Sequence, residues 1–548
     1  MNQIYVARRI QFILLATAVL VTLVVTPKTS FDSVNLPKQA ILIVGATSSF
    51  FLLLIALRRV AHKLLYFLIT LFCFWIVVVL VFSGPSVSMQ LWGTFGRNTG
   101  ALTYISFSLI LICAVEIFTT RFGKRILYSL AVVGVLNSIY AILQSLDLDF
   151  LYSGQAQFKV FGTAGNPNFL SALLGMSAIA IASLGLDSHL SMLRKVGFGI
   201  LLSTVVYGLV LSSSRQGFAI LCIGIMVLIY LKFVRNGGRI PSMAFISLTL
   251  LGGIFSILGF LQKGPLASIL YEDTISLRGY YWRAAIAMVG EEPIFGVGMD
   301  SYGNWFRSVR DSDFVSKYGT ALQTNSAHNV FLDVASSGGI VLFLSYLAIS
   351  LLVFYAGLKL LLKAREYDAL NAGLLAVWLA WLAQSLVSIN QISVAIWGWL
   401  VGGAILGRYL YGDRDLPERR DYVAERISAS AAMVGISGLF TGLALGLPLF
   451  LKDMQYKSAL DSTRLEKVIE VSRTFPSNDL YLSQTAEILR SLNQGEVALQ
   501  VAKEAITLNP RSFASWNLIF DLSLPESKEH QDAQEKLRAL DPHNPKYR

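Results

Sequence analysis

The sequence predicts an all-α, polytopic helical membrane protein that crosses the bilayer about thirteen times and ends in a helical-repeat domain outside the membrane. Three observations predict this. Apolar runs of 17–22 residues recur along most of the chain, long enough to cross a hydrocarbon core of ~30 Å as helices. Only 14% of residues are charged against 54% hydrophobic, at a mean hydropathy of +0.59. Beyond Leu451 the composition turns sharply polar and no further span follows.

The apolar runs place spans near 10–26, 38–57, 64–83, 101–119, 125–145, 169–186, 196–212, 217–234, 243–261, 339–358, 369–388, 392–409 and 430–450. The first lacks a small-residue cleavage site before Pro27-Lys28 and reads as a retained helix. A net charge of +11 would suggest nucleic acid in a soluble protein, but its distribution points to a membrane instead. With the N-terminus in the cytoplasm, the inner loops hold 21 Lys and Arg, from Arg8 and Arg9 to the group ending at Arg426. The short outer loops hold 5, namely Lys28, Lys38, Arg97, Lys159 and Arg215. That asymmetry is the positive-inside pattern. It puts the 262–330 stretch and the C-terminus outside a cytoplasmic (inner) membrane. Cys73, Cys113 and Cys222 are dispersed through apolar spans and read as small core residues.

Residues 1–451 thus form the membrane domain, and 453–548 a separate unit. In the latter, Pro476, Pro510 and Pro542 fall 34 and 32 residues apart, in the turns Thr474-Phe475-Pro476-Ser477, Leu508-Asn509-Pro510-Arg511 and Leu540-Asp541-Pro542-His543. The spacing matches the tetratricopeptide period. Ala486, Ala498, Ala502, Ala505 and Ala514 supply small residues for close helix packing. Such repeats bind partners or dock on a neighbouring domain; a generic helical cap is the plainer alternative.

The 262–330 stretch reads as a long polar outer loop, and it concentrates residues suited to chemistry. It carries Arg278-Gly279-Tyr280-Tyr281-Trp282-Arg283, then Pro293-Ile294-Phe295-Gly296-Val297-Gly298, and ends in Ser326-Ala327-His328-Asn329-Val330. On the same side lie Arg97, the Gly165-Asn166-Pro167-Asn168 turn, and Arg215 in Ser212-Ser213-Ser214-Arg215. A guanidinium keeps its charge and presents a planar fork suited to phosphate oxygens. Several at one interface fit a diphosphate headgroup whose lipid tail stays in the bilayer. His328 stands where the polar stretch re-enters the membrane, and His is the side chain best placed to exchange protons near neutral pH. Each has a structural alternative. Arg97 and Arg215 could reach the headgroup layer from helix ends, and Asn166 and Asn168 could cap a helix. Trp282 and its tyrosine neighbours could anchor the interface, and Pro293, Gly296 and Gly298 could shape a turn. His328 has no histidine partner, and the scattered Asp300, Asp311 and Asp313 make a poor metal site. No nucleotide-binding signature occurs.

Four of these pieces, in order, resemble the O-antigen ligase-like superfamily of O-antigen ligases, polymerases and bacterial O-oligosaccharyltransferases. They are Gly162-Thr163-Ala164-Gly165-Asn166-Pro167-Asn168, Ser212-Ser213-Ser214-Arg215, Arg278-x-x-x-Trp282 with the 293–298 run, and Ala327-His328-Asn329-Val330-Phe331-Leu332 followed by Gly338-Gly339. The resemblance covers about residues 90–410. It implies transfer of a glycan from a polyprenyl diphosphate carrier to an acceptor hydroxyl at the outer face of a bacterial cytoplasmic membrane, without metal, nucleotide or other cofactor, and with inversion. The acceptor would be a glycan, lipid or protein. The resemblance also implies His328 as general base, Arg215 and Arg278 as catalytic donors to the departing diphosphate, and Arg97, Arg283, Asn166, Asn168 and Trp282 as substrate-binding helpers. Simple lipopolysaccharide ligases lack such a tail, which suggests a protein or other polymer acceptor, or a protein partner for the repeats. A chain polymerase of the same superfamily is the alternative within the family. A lipid-linked glycan transporter is the rival outside it, disfavoured because Glu116 is the one clear carboxylate in a span.

Overall fold

The computed structural model describes residues 3–56, 62–152, 158–236, 239–260, 262–265, 273–364, 366–412 and 429–547, and every regular element among them is a helix. Inside a bilayer a backbone finds no water to bond, so apolar runs close their hydrogen bonds within a helix. Ten of the described helices are long and apolar enough to cross a membrane. Ala101–Glu116, Met243–Ile254 and Ala369–Ser385 are shorter apolar helices. Together they occupy all thirteen positions marked by the apolar runs.

Two of the short helices sit deep in the bundle. Ala101–Glu116 packs against Asn35–Ala56 and Ile392–Tyr411; Ala369–Ser385 packs against Pro167–Gly185 and Arg215–Asn236. At 16 residues the first rises ~24 Å, short of a ~30 Å core. Surrounding protein buries most of the polar loops 93–100 and 386–391 beside these helices, with Gly96 and Leu386 left exposed. The loops meet through Asn35, which donates from Nδ2 to the Gly96 carbonyl at 2.7 Å and accepts from Gln391 Nε2 at 3.3 Å.

The 262–330 stretch, expected as a loop, is a folded unit over its described part. Helices Asp273–Glu291, Tyr302–Val309 and Ser312–Tyr318 enclose a small core around Tyr281, Ala285, Met288, Val297, Phe306 and Phe314. A helical signal was present in Tyr281, Ala284, Ala285 and Met288, spaced i, i+3, i+4, i+7. The polar residues between them hid it.

After this unit the chain enters Val330–Lys363, nine residues before the expected span start. Gly339 (φ 70°, ψ −171°) breaks this helix into two. The freed carbonyls of Ser336 and Ser337 accept from Val297 N at 2.8 Å and Gly298 N at 3.1 Å, and Ile340 N donates to Pro293 O at 2.9 Å. A Cβ at Gly296 would collide with the Ser336–Gly338 backbone, and one at Gly339 with Ile294 and Pro293. The two glycine motifs of the sequence are therefore two sides of one close backbone contact.

The change of composition at Leu451 is not a break in the chain. Helix Ala429–Asp461 runs straight through it, because composition records where apolar surface ends, not where a helix stops. The helices that follow, Leu465–Arg473, Asp479–Ser491, Gly495–Leu508, Phe513–Leu522 and Lys528–Leu540, each pack on the next. Ala486, Ala498, Ala502 and Ala505 are fully buried between them. Ala514 is exposed instead; its neighbour Ser515 is buried and shares a 2.7 Å hydrogen bond with Ser483.

Candidate functional site

His328 sits in a sharp turn ahead of the first half of the broken helix. Its backbone is left-handed (φ 52°), a conformation that costs a non-glycine residue energy and must be held by its surroundings. The holding group is Asp333, one turn into the helix. Its Oδ1 accepts from Ala327 N at 2.8 Å and its Oδ2 from Ser326 Oγ at 2.9 Å, while His328 N donates to Ser326 Oγ at 2.8 Å. Asn329 caps the helix by accepting from Phe331 N and Leu332 N. The imidazole stacks on Tyr281 with ring centroids 5.6 Å apart. Tyr281 is itself held by Tyr302, whose hydroxyl donates to the Tyr281 carbonyl at 2.8 Å.

Burial, followed by the positive charges of Arg278 and Arg97, lowers the His328 pKa to about 4. At neutral pH the ring is neutral, with one nitrogen open to accept a proton. Arg278, on the Asp273–Glu291 helix, is half-buried and close enough for its charge to act on this ring.

Arg97, expected at the substrate, is 5% exposed. Its Nε lies 3.3 Å from Asp300, its Nη2 3.5 Å from Asp333, and its Nη1 donates to the Asn325 carbonyl. Burial works against its charge, but the two carboxylates outweigh this and raise its pKa above the ordinary guanidinium value. With the fork so occupied, Arg97 fastens the His328 turn to the 93–100 loop. Asp300 completes the joint by accepting from Thr94 N at 2.8 Å, Thr99 N at 3.1 Å and Thr99 Oγ1 at 3.0 Å. Asp333 carried a signal that sequence reasoning passed over, a carboxylate just inside an otherwise apolar helix.

Arg283 is also engaged: Nε donates to Asp311 at 2.7 Å and the guanidinium lies 4.3 Å from the Tyr280 ring. Trp282 is half-buried, and its indole N–H has no hydrogen-bond partner among the described residues.

A second cluster gathers around Arg215, which is exposed at the start of helix Arg215–Asn236. Asn168 accepts from Ser214 Oγ at 2.7 Å, and Ser171 Oγ lies 3.0 Å from Ser214 Oγ. Asn166 fills the helix-cap alternative, accepting from Asn168 N at 2.9 Å ahead of Pro167.

Three of the polar groups in the spans have structural partners, whereas Gln384 Nε2 is buried without one among the described residues. Glu116 accepts from Tyr66 and Tyr411, each at 2.7 Å. Asn137 and Gln144 accept from the backbone N–H groups of Thr163, Phe161 and Gly162 and so pin the segment that leads to Asn166.

None of the curated proteins compared with the chain matches it. Residues 198–347, the stretch that carries Arg215, Arg278, Trp282, Arg283 and His328, match the model of the family described as O-antigen ligase, which supports a place in the O-antigen ligase superfamily.

Proposed function

We propose that the protein transfers a glycan from a polyprenyl diphosphate carrier to an acceptor hydroxyl at the outer face of a bacterial cytoplasmic membrane, as a ligase or O-oligosaccharyltransferase. The observation that carries this reading is the His328 turn, fastened by Asp333 and Arg97, with its imidazole stacked on Tyr281. The match to the O-antigen ligase family over 198–347 supports glycan transfer as the reaction class.

In the proposed step an acceptor O–H gives its proton to the free ring nitrogen of His328. The oxygen forms a bond to the anomeric carbon as the bond to the diphosphate oxygen breaks, and the electron pair leaves with the diphosphate. Attack from the side opposite the leaving group inverts that carbon. Arg278 and Arg215 meet the charge that grows on the diphosphate, where guanidinium donors act most strongly. An empty-site pKa near 4 makes His328 a weak base. A bound diphosphate would offset the Arg278 charge and return the ring towards its usual basicity, so the donor itself prepares the base. The engagement of Glu116, Asn137 and Gln144 in structural contacts speaks against a transport path through the bundle. We read the tail as tetratricopeptide-like repeats, on the proline period and the buried alanines.

The test uses purified protein in lipid with a polyprenyl-diphosphate glycan and candidate acceptors, in EDTA, following both glycan product and released polyprenyl diphosphate. His328→Ala is expected to lower turnover by about 10³-fold, within the span of positioned acid–base catalysis. Equal rates for variant and wild type would remove His328 from the reaction. Glycan on a new acceptor means a ligase; longer glycan still on the carrier means a polymerase.

A further inference from the structure

The three proline turns of the tail sit where the tail meets the rest of the protein. At the first, Lys452 Nζ donates to the carbonyls of Ser472 at 3.1 Å, Thr474 at 2.7 Å and Pro476 at 2.9 Å. Its neighbour Asp453 accepts from Phe31 N at 2.6 Å, Asp32 N at 3.0 Å and Tyr481 Oη at 2.8 Å. At the second, Arg511 donates to Ser308 Oγ at 2.6 Å and lies 3.6 Å from the Trp305 ring centroid. At the third, Asp541 accepts from Arg310 Nη2 at 2.8 Å and from Arg307 Nη1 at 3.2 Å. The tail thus stands on the C-terminal end of helix Ala429–Asp461 and leans on helix Tyr302–Val309.

The third contact reaches furthest. Arg310 also donates to the carbonyls of Thr320 at 3.2 Å and Leu322 at 3.0 Å. Arg307 donates to the Thr320 carbonyl at 2.8 Å and to Gln323 Oε1 at 3.1 Å. These acceptors lie on the segment that runs into the His328 turn, and Arg97 holds the far end of the same segment at the Asn325 carbonyl. Three guanidiniums therefore clamp the path from Gly319 to His328. Arg97 has two carboxylates of the membrane domain beside it. Arg307 and Arg310 share one carboxylate, and it comes from the tail. The side chains of Arg310 and Asp541 are 1% and 0% exposed. Water therefore cannot replace the missing charge if the carboxylate is lost, and the two cations would then repel each other at close range.

We propose that Asp541 is a positioning residue for His328: by neutralising Arg307 and Arg310 it lets both donate to the 320–323 segment and so fixes the approach to the catalytic turn. The inference rests on the reading of His328 as the base. It assigns the tail a task within its own chain, before any partner or acceptor is considered. A base displaced by an ångström or so loses rate on the order of 100-fold while distant binding contacts survive.

The full-length protein in lipid is compared with Asp541→Asn, Asp541→Glu and, as a control on an exposed tail ion pair, Glu504→Gln. Two readouts are taken: amide hydrogen exchange over 319–329, and turnover with donor KM. Asp541→Asn is expected to speed exchange in 319–329 and to lower kcat about 10- to 100-fold with donor KM little changed. Asp541→Glu is expected to recover much of both, and Glu504→Gln to leave both at wild type. Unchanged exchange in 319–329 overturns the proposal, as does faster exchange with wild-type kcat. Faster exchange throughout 465–547 would mean that the tail has unfolded. Arg310→Met/Asp541→Leu then decides, since an apolar pair replaces a buried ion pair without stranding a charge: a folded tail with slow turnover upholds the proposal, and wild-type turnover overturns it. If wild type releases no diphosphate from any donor, the transferase reading falls, and the exchange readout alone decides whether Asp541 anchors the segment.

Discussion

Two turns in this protein look alike in backbone and differ in everything that holds them. Both place a left-handed residue just before a helix, Ser213 (φ 54°) ahead of Arg215–Asn236 and His328 (φ 52°) ahead of the broken helix. The His328 turn is fastened by a buried carboxylate, Asp333, and tied through Arg97 to a second, Asp300. The Ser213 turn is held by neutral groups, Ser214 on Asn168 and Ser171, and Ser213, Arg215 and Asn168 are exposed. Proton transfer depends on hydrogen-bond geometry and fails within an ångström. Attraction between a guanidinium and a diphosphate falls off slowly with distance. A base needs a rigid seat; an anion-binding arginine can work from a compliant one.

That comparison breaks most readily at Asp333. Asp333→Asn keeps the shape but removes the charge that faces Arg97 and one of the two oxygens that order Ser326 and Ala327. It is expected to cut kcat on the order of 100-fold with little change in donor KM, measured in the glycan-transfer assay. A large KM effect instead would move Asp333 from positioning to binding. Arg215→Ala should differ by raising donor KM about 10-fold as well as lowering kcat, because the charge-assisted contact it removes, worth ~1.5–3 kcal/mol, serves both the bound and the departing diphosphate. Arg215→Lys should recover part of this, since it restores charge but not the planar fork.

The pH profile sharpens the same contrast. Because burial and then Arg278 and Arg97 lower His328 to about 4, kcat/KM should stay level from neutral pH to about 5 and fall only towards 4. Arg278→Gln removes one of the opposing charges, so the acidic limb should move to higher pH; a limb that stays in place would mean another group titrates. The sign for stability follows. The unfolded imidazole takes up its proton near 6.5 and the folded one only near 4. The contribution of the neutral ring is thus complete above 6.5 and lost as pH falls to about 4. Ser214→Ala is the mildest change: one neutral hydrogen bond of ~1 kcal/mol should alter KM by about fivefold or less.

The spans were legible because a long apolar run in a charge-poor chain has few other fates. His328, Arg215 and Arg278 stand out in the sequence because they interrupt that apolar pattern on one expected side. The partners that give them their properties do not. Asp333 was one carboxylate in a helix, Asp541 one acid in a polar tail, and Arg310 one of many arginines. Their roles come from pairings across 231 residues for Arg310 with Asp541 and 236 for Arg97 with Asp333, which no local period records. Arg97 shows the converse. Its residue type and expected side suggested a ligand contact, and only the carboxylates around it explain its burial.

The break at Gly339 also separates two mechanical duties. Residues 340–363 form the apolar shaft that must adapt its tilt to the thickness of the bilayer. Residues 330–338 carry Asp333, and their backbone is stitched to 293–298. Gly339 lets the two halves take different directions, while Ser336 O, Ser337 O and Ile340 N tie the joint itself to 293–298. On the proposed mechanism, a change of bilayer thickness that tilts the shaft would therefore act first on a joint that is already tied down, with His328 on its far side.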